Sequence, residues 1–330
     1  MSFDFSTLEV PVPIRDMVSR LTTAKSAFFS SGAAVIEPDD GTGTGGNFYK
    51  RRYSAEDAAV GTVITGTALS PAIIGAHADV GPVIRRARFR RVVDGAGAAE
   101  GGLLAQNPTD RIVQGTAAYW SLEYDTAFLS ILAAAFDAAG PLYSTHLAPY
   151  AASGTAIVPL TFAKTIEAAS ILGDRANDVV SLVCHSAVAK DLVLEMGARA
   201  MALPISGTPM YATALYVGNA RLIVSDLCPV AGSGTYAAYT SYLLTPGSLW
   251  MTEQQGLREI AAPNPSIPGF DITQSAHVAL GVSGLKVAGV TANPSNAELA
   301  DPTYWDLTIS PATAASIKAV GLVAVTSNAT

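Results

Sequence analysis

The run VVSLVCHSAVAKDL (179–192) sets Cys184, His185 and Ser186 side by side. Hydrolases use these residue types as nucleophile and base, because a thiol or hydroxyl attacks once an imidazole takes its proton. Adjacency along the chain is not adjacency of side chains. A strand over 179–184 alternates its faces, so Cys184 and His185 point apart and cannot share a proton. The flanks also lack the glycines that a strained G-x-S-x-G nucleophile turn requires. The same residues read better as a strand-to-helix junction, with Ser186 as the N-cap of a helix that begins at Ala187 and closes at Gly197. A hydrolase using Cys184 or His185 stands as the competing function.

Other candidate chemistry is sparse. His77, His146, His185 and His277 never fall at i,i+3 or i,i+4, and there is no HExxH, so no metal site is expected. GTGTGG (41–46) has neither a following Lys-Ser/Thr nor a preceding buried strand, so it reads as a hinge rather than a phosphate loop, and no cofactor is expected. Cys184 and Cys228 lie in apolar runs with no CxxC spacing, as buried free thiols of a reducing compartment do.

RRARFRR (85–91) carries five arginines in seven residues. On a strand, Arg86, Arg88 and Arg90 share one face, while Arg85, Phe89 and Arg91 share the other. Three uses are open: a solvated edge strand, ion pairing with the acidic surface of a second copy, or contact with nucleic acid. Arginine suits the second, since its planar fork binds carboxylates bidentately. Lys50, Arg51 and Arg52, in NFYKRRY (47–53), join Arg85, Arg86, Arg88, Arg90 and Arg91 as candidates for contact between copies.

The elements that must position these residues follow from composition and punctuation. The 330 residues are 49% hydrophobic and only 14% charged, so much of the surface is expected to be covered by other chains. Formal charge is −7. Residues 1–111 hold twelve Lys+Arg and twelve Asp+Glu, and residues 112–330 hold eight and fifteen. That balance argues against a dedicated nucleic-acid binder. No signal peptide and no apolar run of about 18 residues is present, which points away from membranes and to assembly in the cytoplasm.

Residues 1–13 read as an extended arm, followed by a short helix from Ile14 (Ile14, Val18, Leu21, Phe28) that stops at Ser30-Ser31-Gly32. NFYKRRY, TVITGTALS (62–70) and PVIRRARFRRVV (82–93) are strands with no helix nearby to cover them, so the excursion needs a partner, plausibly another subunit. Residues 117–139 form the clearest helix. Tyr124, Phe128, Ile131 and Ala135 make one apolar stripe, Leu122, Leu129, Leu132 and Phe136 a second, and Glu123, Ser130 and Asp137 lie on the polar side. A helix at about 162–172 turns Phe162, Ile166 and Ala169 inward and is capped by Gly173. A β-rich stretch follows over 204–275. Ser295 caps a last helical turn with Glu298 reaching back, and GLVAVTSN (321–328) is a final strand.

In this order the pieces resemble the major capsid proteins of tailed bacteriophages, with the Hong Kong 97-type coat fold. The likeness is carried by AKSAFFSSG (24–32), YWSLEYDTAFLSIL, LGDRANDVVSLVCHSAVAKDL, NARLIVSD, YTSYLL and NPSNAELADPTYWDL, spread over essentially the whole chain. It implies an α+β fold with an N-terminal arm (1–46), an extended E-loop (47–93), a peripheral domain with a spine helix (94–200 and 276–330) and an axial domain (201–275). It implies no enzyme. Pentamers and hexamers would close into an icosahedral shell enclosing double-stranded DNA in a virion assembled in the host cytoplasm. A separate scaffolding protein, a portal and possible decoration proteins would be its partners. An encapsulin-like nanocompartment shell is the alternative the same resemblance allows. His277-Val278 stands where related coats often carry His-Pro. Covalent cross-linking is not expected, since Lys50 is the only E-loop lysine.

Overall fold

The computed structural model describes residues 21–22, 25–37, 47–53, 76–93, 108–151, 157–200, 216–217, 220–263, 269–289, 292–308 and 320–329. The expected arm over 1–13, the hinge 41–46 and the strand 62–70 lie outside the described residues. Two sheets and a long helix organise the rest.

The first sheet runs β1 (Ala34–Glu37), β10 (Leu249–Pro263), β11 (Gly269–Val282), β3 (Ala76–Val93), β12 (Leu285–Val287) and β13 (Trp305–Leu307), with β2 (Asn47–Tyr53) also paired to β3. The long strand β3 is therefore held on its own chain. Its first part pairs with β2, from Asn47↔Pro82 to Tyr53↔Ala76, and its arginine-rich part pairs antiparallel with β11, from Val83↔Ala279 to Val93↔Gly269. Of the excursion expected over 47–93, the strands 47–53 and 82–93 are paired within the chain, and the strand 62–70 lies outside the described residues. The cover of 82–93 comes from residues nearly two hundred positions later, which no local pattern reveals.

Helix α2 spans Pro108–Ala135, starting nine residues before the expected 117. Pro108 fits the first turn, where a missing N–H costs nothing. At about 1.5 Å per residue it is roughly 42 Å long. Trp120, Tyr124, Phe128, Ile131, Leu132 and Ala135 are buried as a stripe, whereas Leu122 is 57% exposed, against expectation. The helix ends because Gly140 folds back onto the carbonyls of Ala134 and Ala135 so closely that a Cβ would overlap them. Leu142 N–H then bonds Ala135 O at 3.0 Å.

The second sheet runs β4 (Leu147–Pro149), β14 (Leu322–Ser327), β9 (Ala238–Leu244), β5 (Ser181–Cys184), β7 (Ala220–Val224) and β6 (Tyr216–Val217), with β8 (Val230–Ala231) on β9. Both faces are covered. Val183, Ile223, Tyr242, Leu244 and Leu322 join the core of α2, and Leu182, Cys184, Leu222, Leu243 and Val325 join a second core under helices α4 (Phe162–Ala169) and α5 (Ser186–Ala200). Hence all four residues of β5 are buried and no polar alternation is visible in SLVC. Each large aliphatic side chain buried this way contributes about 1.5–3 kcal/mol.

Several local expectations shift. Helix α4 buries Thr165 and Ala168, with Leu172 beyond it, and leaves Ile166 56% exposed. The phase is set at its start, where Thr161 Oγ1 accepts from Lys164 N–H and Glu195 Oε2 accepts from Phe162 N–H. Gly173, at φ +60°, kinks the 3-10 turns of Ser170–Asp178 instead of ending a helix at 172. Helix α5 runs past Gly197 to Ala200; one interior glycine costs only about 1 kcal/mol relative to alanine. The N-terminal helix breaks at Ser26, whose side chain caps α1 (Ala27–Ser31), and Gly32 at φ +80° closes it. Pro246-Gly247 joins β9 to β10, which belong to different sheets. The second sheet draws its strands from three stretches of the chain: β4 and β5, β6 to β9, and β14.

Trp250 shows how tightly β10 and β11 meet β3. Its indole occupies space that a side chain on Gly281 or Gly81 would fill, and Phe48 lies against it with ring centroids 5.7 Å apart. Phe48, Val83, Trp250 and Ala279 thereby form a small core of their own.

Candidate assembly surfaces

The arginine strand is used mainly within the chain. Arg86 Nε donates to Glu123 Oε1 of α2 at 3.1 Å, Nη1 to Asn293 Oδ1 at 3.1 Å, and Nη2 to Pro294 O at 2.9 Å and Asn296 Oδ1 at 3.1 Å. The Arg88 guanidinium stacks 4.1 Å from the Tyr119 ring centroid. Burial lowers its pKa first and the charge of Arg90 second, with Tyr119 acting the other way. Arg90 Nη1 donates to Thr116 Oγ1 at 3.4 Å. Three arginines two apart on a strand thus meet Thr116, Tyr119 and Glu123, spaced three and four apart on a helix. The face expected to pair with another copy has partners on its own chain as well, and Glu123 faces β3.

Other candidates divide. Lys50 Nζ pairs with Glu37 Oε1 at 2.5 Å and lies 5.9 Å from the Trp250 ring, so it too is engaged within the chain. Arg85 is exposed, and its backbone N–H donates to Asn293 Oδ1 at 2.7 Å. Arg51, Arg52 and Arg91 sit in β2 and β3, and their side chains lie outside the described residues.

At the strand-to-helix junction the cap is His185, not Ser186. The His185 carbonyl accepts the first helical bond, from Ala189 N–H at 2.9 Å, and its Nδ1 accepts from Ala187 N–H at 3.2 Å. Ser186 is the first residue of the helix itself, and its N–H donates to Asp226 Oδ1 at 3.3 Å. Hydrogen bonds from the Ser186 side chain and backbone hold the Asp226 carboxyl below the usual range. An imidazole ring, which local patterns do not mark as a cap, has taken the role assigned to the neighbouring hydroxyl. Cys184 is fully buried, and burial pushes its thiol up to about 12. Such a thiol stays protonated at neutral pH and is no nucleophile. Ser295 caps as expected, with its Oγ accepting from Glu298 N–H at 3.2 Å and Glu298 Oε2 accepting from Ser295 N–H at 2.6 Å. Among the described residues, no three His, Cys, Asp or Glu side chains converge as metal ligands, and no helix is long and apolar enough to cross a membrane.

Sequence reasoning missed a fastening of the N-terminal segment. Asp125 of α2 accepts from Ser26 Oγ at 2.5 Å and Ala27 N–H at 3.1 Å. Burial raises its carboxyl pKa against the hydrogen bonds from Ser26, Ala27 and Phe28. Phe28 and Phe29 meet the Phe128 ring edge-on at 5.8 and 6.0 Å, and Arg221 Nη1 donates to Ser30 O at 2.9 Å. Also missed was an apolar end on the second sheet, where Val224, Leu227, Val230 and Tyr236 are exposed within thirteen residues. Only solvent exposure distinguishes such residues from core residues of the same type.

The fold is similar to that of solved phage heads. The chain is similar to the capsid of Ralstonia phage GP4, at 11% identity and a TM-score of 0.56, covering 93% of this chain and 92% of that one. It is similar to the head structure of Helicobacter pylori bacteriophage KHP40, at 11% identity and a TM-score of 0.56, with 92% of each chain covered. The cyanophage Pam1 capsid matches at 11% identity and a TM-score of 0.52, over 89% of this chain and 88% of that one. The chain has the Hong Kong 97-type coat fold. No protein-family model matches the sequence, and no curated protein is similar to it. The likeness thus lies in the path of the backbone, which survives where side-chain identity has gone.

Proposed function

We propose that the protein is the major capsid protein of a tailed bacteriophage, a structural subunit whose copies close into an icosahedral shell around double-stranded DNA. The observation that carries this reading is the coat fold itself, matched over nine-tenths of the chain to phage capsids. Exposure supports it: Val224, Leu227, Val230 and Tyr236 form an open apolar end that other copies would cover. In this reading residues 1–46 are the arm, 47–93 the E-loop, 94–200 and 276–330 the peripheral domain with the spine helix α2, and 201–275 the axial domain. The shell is built of pentamers and hexamers, with a separate scaffolding protein, a portal and any decoration proteins as partners. It assembles in the host cytoplasm and ends in the virion.

Electron microscopy of the full chain, expressed with and without a candidate scaffolding protein, tests this. Closed particles of uniform size are expected, and particles recovered from infected cells should protect DNA from nuclease. A chain that stays a fully ordered monomer under both conditions would refute the shell. Particles that hold cargo protein instead of DNA would move the reading to a nanocompartment.

A further inference from the structure

The face of the first sheet turned away from α2 carries a row that the fold leaves open. Phe89 of β3 lies opposite Thr273 of β11, which lies opposite Ile260 of β10. Residues directly opposite in a ladder share a face, so the three make one stripe across the sheet. Phe89 is 61% exposed and Ile260 49%. Arg85 and Arg258, both exposed, lie to one side of the stripe, and neither guanidinium has an ion-pair partner among the described residues. Their neighbours Arg86, Arg88 and Arg90 are all engaged by α2 or the segment after residue 292. An aromatic and an aliphatic side chain, with arginines to one side that have no ion-pair partner among the described residues, match the composition of association surfaces, in which Phe and Arg are enriched. The charge selects an acidic partner.

A complementary surface exists on the same chain. The helical layer over the second sheet exposes Ile166 (56%) beside Glu167, and the turns that follow expose Asp174 and Asp178. Asp174 has no ion-pair partner among the described residues, and Asp178 has only Arg175, three residues away at 3.7 Å. Both patches are open to solvent, so one copy does not cover its own basic patch with its own acidic one. A contact between unlike patches on two copies is heterologous, and repetition of it closes a ring when the rotation between copies closes.

We propose that the Phe89–Ile260 stripe with Arg85 and Arg258 docks onto the Ile166, Asp174 and Asp178 surface of a neighbouring copy. This rests on the shell reading and names one contact within it. The test is charge reversal on each side and on both. The variant Arg85→Glu/Arg258→Glu should melt like the parent chain, since both residues are exposed, yet give at least about tenfold fewer particles. Asp174→Arg/Asp178→Arg should do the same, and the fourfold combination should recover particles. Normal particles from either double variant would overturn the contact, and so would failure of a folded combination to recover. If a reversal variant melts early, Arg85→Cys with Asp174→Cys decides instead, because disulfide-linked oligomers should form in particles and their absence would overturn the contact. Particle formation by the parent chain reports on the shell reading alone, so the two failures are distinguishable.

Discussion

Replacing Arg86 with methionine keeps the aliphatic stem and removes the guanidinium. Glu123 Oε1, Asn293 Oδ1, Pro294 O and Asn296 Oδ1 then lose a donor at 2.9–3.1 Å. Hydrogen bonds to charged groups contribute about 1.5–3 kcal/mol, and breaking a fully buried pair costs about 3–5 kcal/mol. Arg86 and Glu123 side chains are 18% and 20% exposed, so water reaches the orphaned groups and the cost falls to about 2–3 kcal/mol. Urea unfolding of the dissociated full chain measures it as a lower midpoint at unchanged slope. Adding Glu123→Gln to Arg86→Met should cost less than the two single losses summed, by about 1 kcal/mol of coupling. If Arg86→Met unfolds within about 0.5 kcal/mol of the parent while particles fail to form, the bonds within the chain carry little and the residue acts between copies.

Gly281→Ala sets a methyl into the Trp250 indole, and the ring has Gly81 on another side, so about 3 kcal/mol should be lost in thermal unfolding; a loss under about 1 kcal/mol would mean the ring can shift. The thiols of Cys184 and Cys228, both pushed up to about 12 by burial, should resist alkylation at pH 8 until the chain is unfolded. Because folding raises both from 9.0, their contribution to stability is intact below about pH 9 and is lost as pH climbs towards 12, which a pH series of unfolding midpoints measures. Asp125→Ala removes the acceptor for Ser26 and Ala27, and tryptic cleavage after Lys25 should quicken about tenfold, equivalent to about 1.4 kcal/mol; an unchanged rate would show that Phe28 and Phe29 suffice to hold the segment.

Much of the framework was legible because it is local. Stripes at 3.6-residue spacing marked α2, glycine at 32 and the Ser295–Glu298 box marked helix ends, and β-rich runs marked β2, β3 and β14. What stayed hidden depends on residues far apart. Nothing near RRARFRR announces that Glu123 and Asn293 will receive Arg86. SLVC hid its two-sided burial for the same reason. Ser186 looked like a cap by residue type, whereas a ring nitrogen on His185 had the better geometry. Ile166 faced out because Thr161 and Glu195 fix where helix α4 begins its turn. The candidates for association were visible as arginines but not as exposed apolar atoms, since Phe89 and Phe28 are the same letter in sequence and lie on opposite sides of the surface.

The order of strands has a kinetic consequence. β1 waits for β10, from Ala34↔Leu249 to Glu37↔Thr252, and β14 seats itself between β4 and β9, with Ala324 beside both Leu147 and Tyr242. The β1–β10 and β4–β14 pairings cannot form from nearby sequence, and each must first overcome the entropy of a loop well over a hundred residues long, whereas β9 ends under eighty residues before β14 begins. Such a chain matures slowly, passing through half-built sheets with bare edges that invite wrong partners. Where folding is that slow, the time to reach the folded chain, rather than its stability once folded, sets how fast folded copies accumulate.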